Sequence, residues 1–198
     1  MTEKHFYERG FETGVPPEQR QGHRRPPKKG GGFLEFLVIL LVAFALVFGF
    51  VRPFVLEAFY IPSESMVPTL EISDRVFVNK FIYRMNEPER GDIIVFRSAE
   101  GGNEDLIKRV VGVPGDTVEV RDGVLFLNGE PREEPYLNKR VPDSGFYGPT
   151  TVPPGHVFMM GDNRANSRDS RFFGPVPYDG IEGEAFVSFW PPSHVGLL

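Results

Sequence analysis

The chain has 198 residues, 40% of them hydrophobic and 25% charged, which suits a folded protein with room for one ordinary domain and a further segment. Its net charge of −5 gives no indication of nucleic-acid binding, and the absence of cysteine excludes thiol catalysis, disulfides and cysteine-based zinc sites. The 22 glycines and 19 prolines favour many turns and short strands over long helices.

Residues 1–32 are polar, rich in proline and glycine, and without apolar periodicity, so we predict a disordered basic tail. Its basic residues would suit RNA binding, but no aromatic residues accompany them, so we interpret them together with the segment that follows. They are Arg20, Arg24, Arg25, Lys28 and Lys29.

An apolar run extends from Phe33 to Val51, with Glu35 near its start. As a helix it would measure roughly 28 Å, enough to cross a bilayer core. Because basic residues crowd the preceding tail, the positive-inside rule puts the N-terminus in the cytoplasm and the remainder outside. We predict a single transmembrane anchor over residues 33–52. A cleavable signal peptide is the alternative, but its usual apolar core is shorter, and the Ala43-Phe44-Ala45 sequence lies inside the run.

Residues 53–198 contain short β-type runs separated by turn residues, and no helical period there lasts ten residues. Asp122-Gly123 separates two of these runs and predicts a hairpin turn, and Asn128-Gly129 opens another. We therefore predict one all-β or nearly all-β domain. The predicted strands cover residues 75–79, 91–96, 106–112, 117–120, 124–127, 156–160 and 184–190.

Residues 61–70 carry two serines between two prolines, just beyond the apolar run. Pro62 and Pro68 have a fixed φ and no N–H, so this segment is neither a helix interior nor a central strand. If it is locally extended, Ser63 and Ser65 point to the same side, about 7 Å apart. One hydroxyl could then attack a carbonyl while the other holds the developing oxyanion. An ordinary loop at the start of a domain is the alternative.

Lys108 lies in a predicted strand whose alternation puts Leu106 and Val110 on the same face. Burial among aliphatic side chains lowers the pKa of a lysine from about 10.4, and a neutral amine can act as a general base. The alternative is a lysine at a sheet edge that extends its amine into water.

A second polar stretch, residues 161–171, follows the predicted strand at 156–160. Its interleaved opposite charges suit either a surface loop or a loop fixed by ion pairs; they are Asp162, Arg164, Arg168, Asp169 and Arg171. His156 raises the possibility of a Ser65–His156–Asp162 triad. We favour this less, because His156 follows Pro-Pro-Gly at the mouth of a strand, where a histidine is unremarkable.

Three segments together resemble the sequence boxes of bacterial type I signal peptidases, in the right order between the anchor and about Trp190. They are Pro62-Ser63-x-Ser65-Met66-x-Pro68-Thr69-Leu70, Lys108-Arg109-Val110-Val111-Gly112-x-Pro114-Gly115-Asp116, and Gly161-Asp162-Asn163-Arg164-x-x-Ser167-x-Asp169-Ser170-Arg171. The resemblance implies a mostly β fold, in which a catalytic domain of coiled antiparallel sheets follows one N-terminal transmembrane helix.

The resemblance also implies a role for each matching residue. Ser65 would be the nucleophile and Lys108 the general base, with Ser63 and the Ser65 backbone N–H forming the oxyanion hole. Ser167 would orient the lysine amine, and Asp162, Asp169 and Arg171 would support the loop. The substrates would be secreted pre-proteins cut after Ala-x-Ala sites, read by small pockets. The pocket residues would be Phe59, Ile61, Pro62, Met66, Leu70 and Ile107.

The chain departs from the family pattern in two places. Glu64 stands where the family often has a small or apolar residue, and the region between Gly115 and Pro154 is short, so that any accessory β-domain is minimal. Neither departure affects Ser65 or Lys108.

We therefore predict a plasma-membrane signal peptidase whose partners are secretory pre-proteins and the lipid bilayer, with no nucleic acid, metal or organic cofactor. The alternatives are the same serine–lysine chemistry in pilin maturation or LexA-type self-cleavage, and an inactive membrane-tethered domain that binds exported chains. The anchor and the absence of a recognisable helix-turn-helix disfavour a LexA-type repressor.

Overall fold

The computed structural model describes residues 32–51, 55–98, 104–137 and 145–198, so residues 1–31 of the predicted tail lie outside the described part. Helix α1 (Phe33–Leu46) continues as five π-helical residues, Val47–Val51, and α1 has no buried residue. Within these ranges no single helix has both the length and the hydropathy of a membrane span.

The rest of the described chain is mostly β, as predicted, and its strands pair antiparallel in two sheets. The strands are β1 (Leu56–Tyr60), β2 (Arg75–Asn79), β3 (Ile93–Arg97), β4 (Asp105–Gly112), β5 (Thr117–Arg121), β6 (Val124–Leu127), β7 (Glu130–Pro131), β8 (Tyr147–Thr151), β9 (His156–Met160), β10 (Val176–Pro177), β11 (Ile181–Trp190) and β12 (Gly196–Leu197). The first sheet runs β1-β2-β11-β3-β4-β9-β10, with β12 on β11, and the second runs β7-β6-β5-β8. A short helix, α2 (Ser170–Phe173), follows β9.

The two predicted hairpin turns are present. Asp122 and Gly123 both have positive φ, 48° and 76°, and they join β5 to β6 with Arg121 opposite Val124. Positive φ at both central residues is the turn geometry that matches the twist of paired strands. Asn128 and Gly129 repeat it, with φ of 56° and 86°, between β6 and β7.

The apolar side chains form three buried clusters. The first joins Ile61, Met66 and Leu70 of the serine segment to side chains from β2, β3, β4 and β11. Burial of an aliphatic side chain of this size stabilises a fold by roughly 1.5–3 kcal/mol, so these three hold the segment firmly against the sheet. The second cluster lies between the two sheets, and the third packs β3, β4, β9 and β10 against α2.

Candidate active site

The serine segment is a series of turns rather than an extended strand. The Val67 N–H donates to the Glu64 carbonyl at 3.1 Å, and the Leu70 N–H donates to the Met66 carbonyl at 3.0 Å. The alternation expected of an extended chain is therefore lost, and the Oγ atoms of Ser63 and Ser65 are 3.3 Å apart rather than about 7 Å. Ser63 is exposed and Ser65 is buried.

Ser65 lies against Lys108 of β4. The Lys108 Nζ is 2.7 Å from the Ser65 Oγ, and it also donates to the Ile107 carbonyl at 2.7 Å. Only 3% of Lys108 and 8% of Ser65 is exposed. The amine and the hydroxyl are therefore at hydrogen-bond distance in a place that water scarcely reaches.

Burial lowers the pKa of Lys108 to about 8, and the negative charges of Asp169 and Asp162 offset part of that effect. Burial disfavours the ammonium form because the interior solvates it poorly. About half of the amine is therefore neutral at pH 8, and a neutral amine can accept a proton from a hydroxyl.

Asp162 ties the serine segment to β4. Its buried carboxylate accepts hydrogen bonds from the Thr69 Oγ1 at 2.5 Å and from the Arg109 Nη2 at 2.7 Å. Thr69 lies four residues after Ser65, and Arg109 directly follows Lys108. One carboxylate thus fixes the positions of both elements that carry the reactive atoms.

Asp169 holds the far end of the loop. It caps α2, and its carboxylate accepts hydrogen bonds from the Gly161 N–H at 3.0 Å and the Arg171 Nε at 2.9 Å. The Asn163 N–H donates to the Ser65 carbonyl at 3.0 Å. The loop therefore contacts the backbone of Ser65 directly.

Gly161 lies where a side chain has no room. A Cβ there would be 2.2 Å from the Ser167 Oγ and 2.4 Å from the Ser65 carbonyl oxygen. The sequence alone indicates no role for Gly161, Thr69 or Arg109. All three lie in the segments that resemble the family's sequence boxes, which is the one sign in the sequence that they matter. The contacts that give them a role are seen only in the folded structure.

The Ser167 hydroxyl makes no hydrogen bond to Lys108 in the described part of the chain. Ser167 is buried, and its Oγ has no hydrogen-bond partner among the described residues. The second contact of the Lys108 amine is instead the Ile107 carbonyl, because that oxygen lies next to it on β4.

His156 is not near the serine. It begins β9, whereas Gly161 follows the end of that strand, so about 16 Å of extended chain separates them. The His156 Nδ1 lies 2.9 Å from the Pro154 carbonyl oxygen, and Arg109 engages Asp162. The Ser65–His156–Asp162 triad is therefore not assembled.

The six residues expected to form substrate pockets differ in exposure. Pro62 is exposed and Phe59 half-buried, whereas Ile61 and Ile107 expose 2% and 7% of their surface. Met66 and Leu70 expose none, because both pack inside the first cluster. In this structure Met66 and Leu70 therefore anchor residues 61–70 to the first cluster and do not line an open surface.

No group of three or more histidine or acidic residues that could hold a metal ion occurs in the described ranges. The chemistry available at Ser65 is that of a hydroxyl, a buried amine and backbone N–H groups. A hydroxyl held against a low-pKa amine provides the two groups that nucleophilic catalysis needs, a nucleophile and a base within hydrogen-bond reach.

Comparison with known proteins identifies the family to which the chain belongs. A sequence model of the family "Signal peptidase, peptidase S26" matches residues 33–190. Signal peptidase I of Leptolyngbya laminosa is 44% identical over 191 residues, which cover 93% of this chain and 92% of that protein. Signal peptidase IB of Staphylococcus aureus is 37% identical over 174 residues, 80% of this chain and 90% of that one.

A crystal structure of a signal peptidase I from Enterococcus faecalis is 36% identical, with a TM-score of 0.44, and covers 50% of this chain and 97% of that one. On the family match and the two relatives, the chain belongs to the peptidase S26 family of signal peptidases. The resemblance seen in the sequence is confirmed, and the chain is an enzyme of the signal peptidase I type.

Proposed function

We propose that this enzyme is a membrane-bound serine endopeptidase that removes N-terminal signal peptides from secreted pre-proteins after Ala-x-Ala sites. Ser65 is its nucleophile and Lys108 its general base. The 2.7 Å contact between the Ser65 Oγ and the Lys108 Nζ, buried in a member of this family, is the observation that carries the proposal.

The reaction proceeds by acyl transfer. The Ser65 Oγ attacks the scissile carbonyl carbon while its proton passes to the Lys108 Nζ. The tetrahedral intermediate collapses, the C–N bond breaks, and the Lys108 ammonium returns the proton to the leaving amine. Water then attacks the acyl ester with Lys108 again as base, releasing the carboxyl product and restoring the Ser65 hydroxyl.

The oxyanion that forms on the attacked carbonyl needs hydrogen-bond donors close to the Ser65 Oγ. The Ser63 hydroxyl, 3.3 Å from the Ser65 Oγ, can rotate toward the attacked carbonyl, and the Ser65 backbone N–H is the second donor. Ser63 is exposed, so substrate can reach it directly. Ser167, whose buried Oγ has no hydrogen-bond partner among the described residues, is the residue proposed to orient the Lys108 amine.

Substrate binds as an extended chain beside the serine segment, where main-chain hydrogen bonds to a sheet edge position it. Ile61 and Ile107 expose only 2% and 7% of their surface, so any contact that they make with substrate is shallow, which would suit a methyl side chain better than a longer one. Pro62 and Phe59 offer the accessible apolar surface.

The apolar residues 33–51 support a single-pass anchor in the plasma (inner) membrane. The basic residues before them favour a cytoplasmic N-terminus and a catalytic domain on the outer or periplasmic side. The nucleophile then lies close to the membrane face from which a signal peptide's cleavage site emerges, because only a short stretch of chain separates Val51 from Ser65.

The test is cleavage of an Ala-x-Ala peptide by the full chain in detergent. Ser65→Ala and Lys108→Ala should both abolish cleavage with the fold intact by circular dichroism. Ser193→Ala and Lys80→Ala are matched controls; Ser193 is exposed, and Lys80 pairs with Glu57 in β1. Substantial activity in either site variant would overturn the assignment.

A further inference from the structure

Residues 132–137, which follow β7, reach from the second sheet to residues 161–171, which we call the catalytic loop; we call residues 132–137 the strap. The Glu134 carboxylate receives the Arg164 Nη1 at 2.8 Å and the Nη2 on its other oxygen, a two-point ion pair. The Glu134 side chain is 6% exposed and the Arg164 side chain 4%. The pair is as buried as the reactive residues themselves.

The strap makes a second contact through Tyr136. The Tyr136 hydroxyl donates to the Glu134 carboxylate at 2.6 Å, and its ring lies against the Arg109 guanidinium, 4.2 Å from ring centre to carbon. A cation over an aromatic face is attracted by the ring's electron density, most strongly where water is excluded. The strap thus contacts two arginines at once. One is Arg109, which follows Lys108 on β4, and the other is Arg164 of the catalytic loop.

Arg164 passes this constraint to the reactive serine. Its Nε donates to the Gly161 carbonyl at 3.0 Å, and its own carbonyl accepts from the Arg171 Nη2 at 2.7 Å. Gly161 in turn lies so close to the Ser65 carbonyl that no Cβ would fit between them. Displacement of the Arg164 guanidinium would therefore move the backbone on which Ser65 rests.

The buried charge of Arg164 needs the Glu134 carboxylate, because the two neighbouring carboxylates are paired with other arginines. Arg109 pairs with Asp162 and Arg171 with Asp169, both of which lie within the loop or beside it. Burial on its own would lower the pKa of Arg164, but the hydrogen bonds and charge of Glu134 more than offset this, and the pKa is raised. Removing one partner of a buried pair leaves an uncompensated charge, which costs far more than a lost surface contact.

We propose that Glu134, assisted by Tyr136, is a positioning residue for the Ser65–Lys108 reaction, acting through Arg164 and the Gly161 backbone. Neither residue touches the reacting atoms. This inference rests on the proposed function and gives the small second sheet a part in catalysis, because that sheet presents the strap.

The experiment compares kcat and KM on an Ala-x-Ala peptide, with the full chain in detergent, for Glu134→Gln and Glu133→Gln. Glu133 is the matched control, since it is the neighbouring carboxylate of the strap and is exposed. Glu134→Gln should lower kcat about 10-fold or more while KM stays within about twofold, at a temperature where thermal unfolding shows both proteins folded. Glu133→Gln should leave both constants unchanged.

Tyr136→Phe removes only the hydroxyl and keeps the ring on Arg109, so it decides the matter if Glu134→Gln does not fold. We expect kcat to fall about threefold, the effect of one hydrogen bond, with KM unchanged. Wild-type kcat in a folded Glu134→Gln, or in Tyr136→Phe when that variant must decide, would overturn the inference.

Ser65→Ala assayed in parallel separates the two hypotheses. If it is inactive while Glu134→Gln keeps full kcat, only the positioning role fails. If it retains activity, the proposed function fails, and this inference fails with it.

Discussion

Substitution of Gly161 tests the closest contact in the site. An alanine Cβ would lie 2.2 Å from the Ser167 Oγ, 2.6 Å from its Cβ and 2.4 Å from the Ser65 carbonyl oxygen. An ordinary contact begins at 3.4 Å, so the Cβ or the atoms that it meets must move by about 1 Å. A displacement of that size between reacting groups costs about 100-fold in rate. We therefore expect Gly161→Ala to lower kcat by about 100-fold.

The assay is peptide cleavage under saturating substrate, with thermal unfolding measured on the same samples. Gly196→Ala is the control, because nothing lies within 4 Å of its added Cβ. The double variant Gly161→Ala/Ser167→Gly removes both Ser167 contacts but leaves the contact with the Ser65 carbonyl. It should therefore stay more impaired than Ser167→Gly alone, which loses the proposed orienting hydroxyl but introduces no contact with the Ser65 carbonyl. Recovery of full activity in the double variant, or near-normal activity in a folded Gly161→Ala, would refute this reasoning.

Three further predictions concern protonation and the oxyanion. Cleavage should rise with pH through an apparent pKa of about 8, because only neutral Lys108 accepts the serine proton; a pH-independent kcat/KM between pH 6 and 9 would contradict this. Ser63→Ala should lower kcat by roughly 10²–10³ with little change in KM, and a loss confined to KM would exclude an oxyanion role. The hydrogen bond to Asp74 raises the pKa of His194, so its contribution to stability is present below about pH 6.5 and is lost as pH rises through the folded-state value. Melting temperatures of wild type and His194→Gln should accordingly differ most near pH 5.5 and converge in alkaline buffer.

The strands were largely predictable because their signals are local. Alternating apolar residues and Asp-Gly or Asn-Gly turns mark β5 and β6 without reference to any other part of the chain. The sequence does not predict β8, because Gly148 and Pro149 are typical of a turn; Pro149 is tolerated there because β8 is an edge strand of the second sheet. The sequence does not predict β1, because its five residues, Leu56–Tyr60, follow the apolar run closely and show no clear alternation of apolar and polar side chains.

The site was predictable as a set of residues but not as a geometry. The three boxes named Ser65 and Lys108, yet the turns at residues 61–70 arise from tertiary burial of Met66 and Leu70, which no local propensity encodes. Glu134 lies outside the boxes, in a segment whose sequence resembles an ordinary loop. Its importance depends on a partner 30 residues away, and only the fold brings the two together.

The burial of the loop's ion pairs has a consequence for the surroundings in which the enzyme can work. Dissolved salt weakens an ion pair only where water carries counter-ions to it, and the carboxylates of Asp162 and Asp169 have no exposed surface. Lys108, by contrast, must be neutral before it can accept the serine proton, and the acidity of the medium sets how much of it is neutral. The ion pairs that hold the loop should therefore be insensitive to the salt concentration of the medium, whereas the activity of Lys108 depends on its pH.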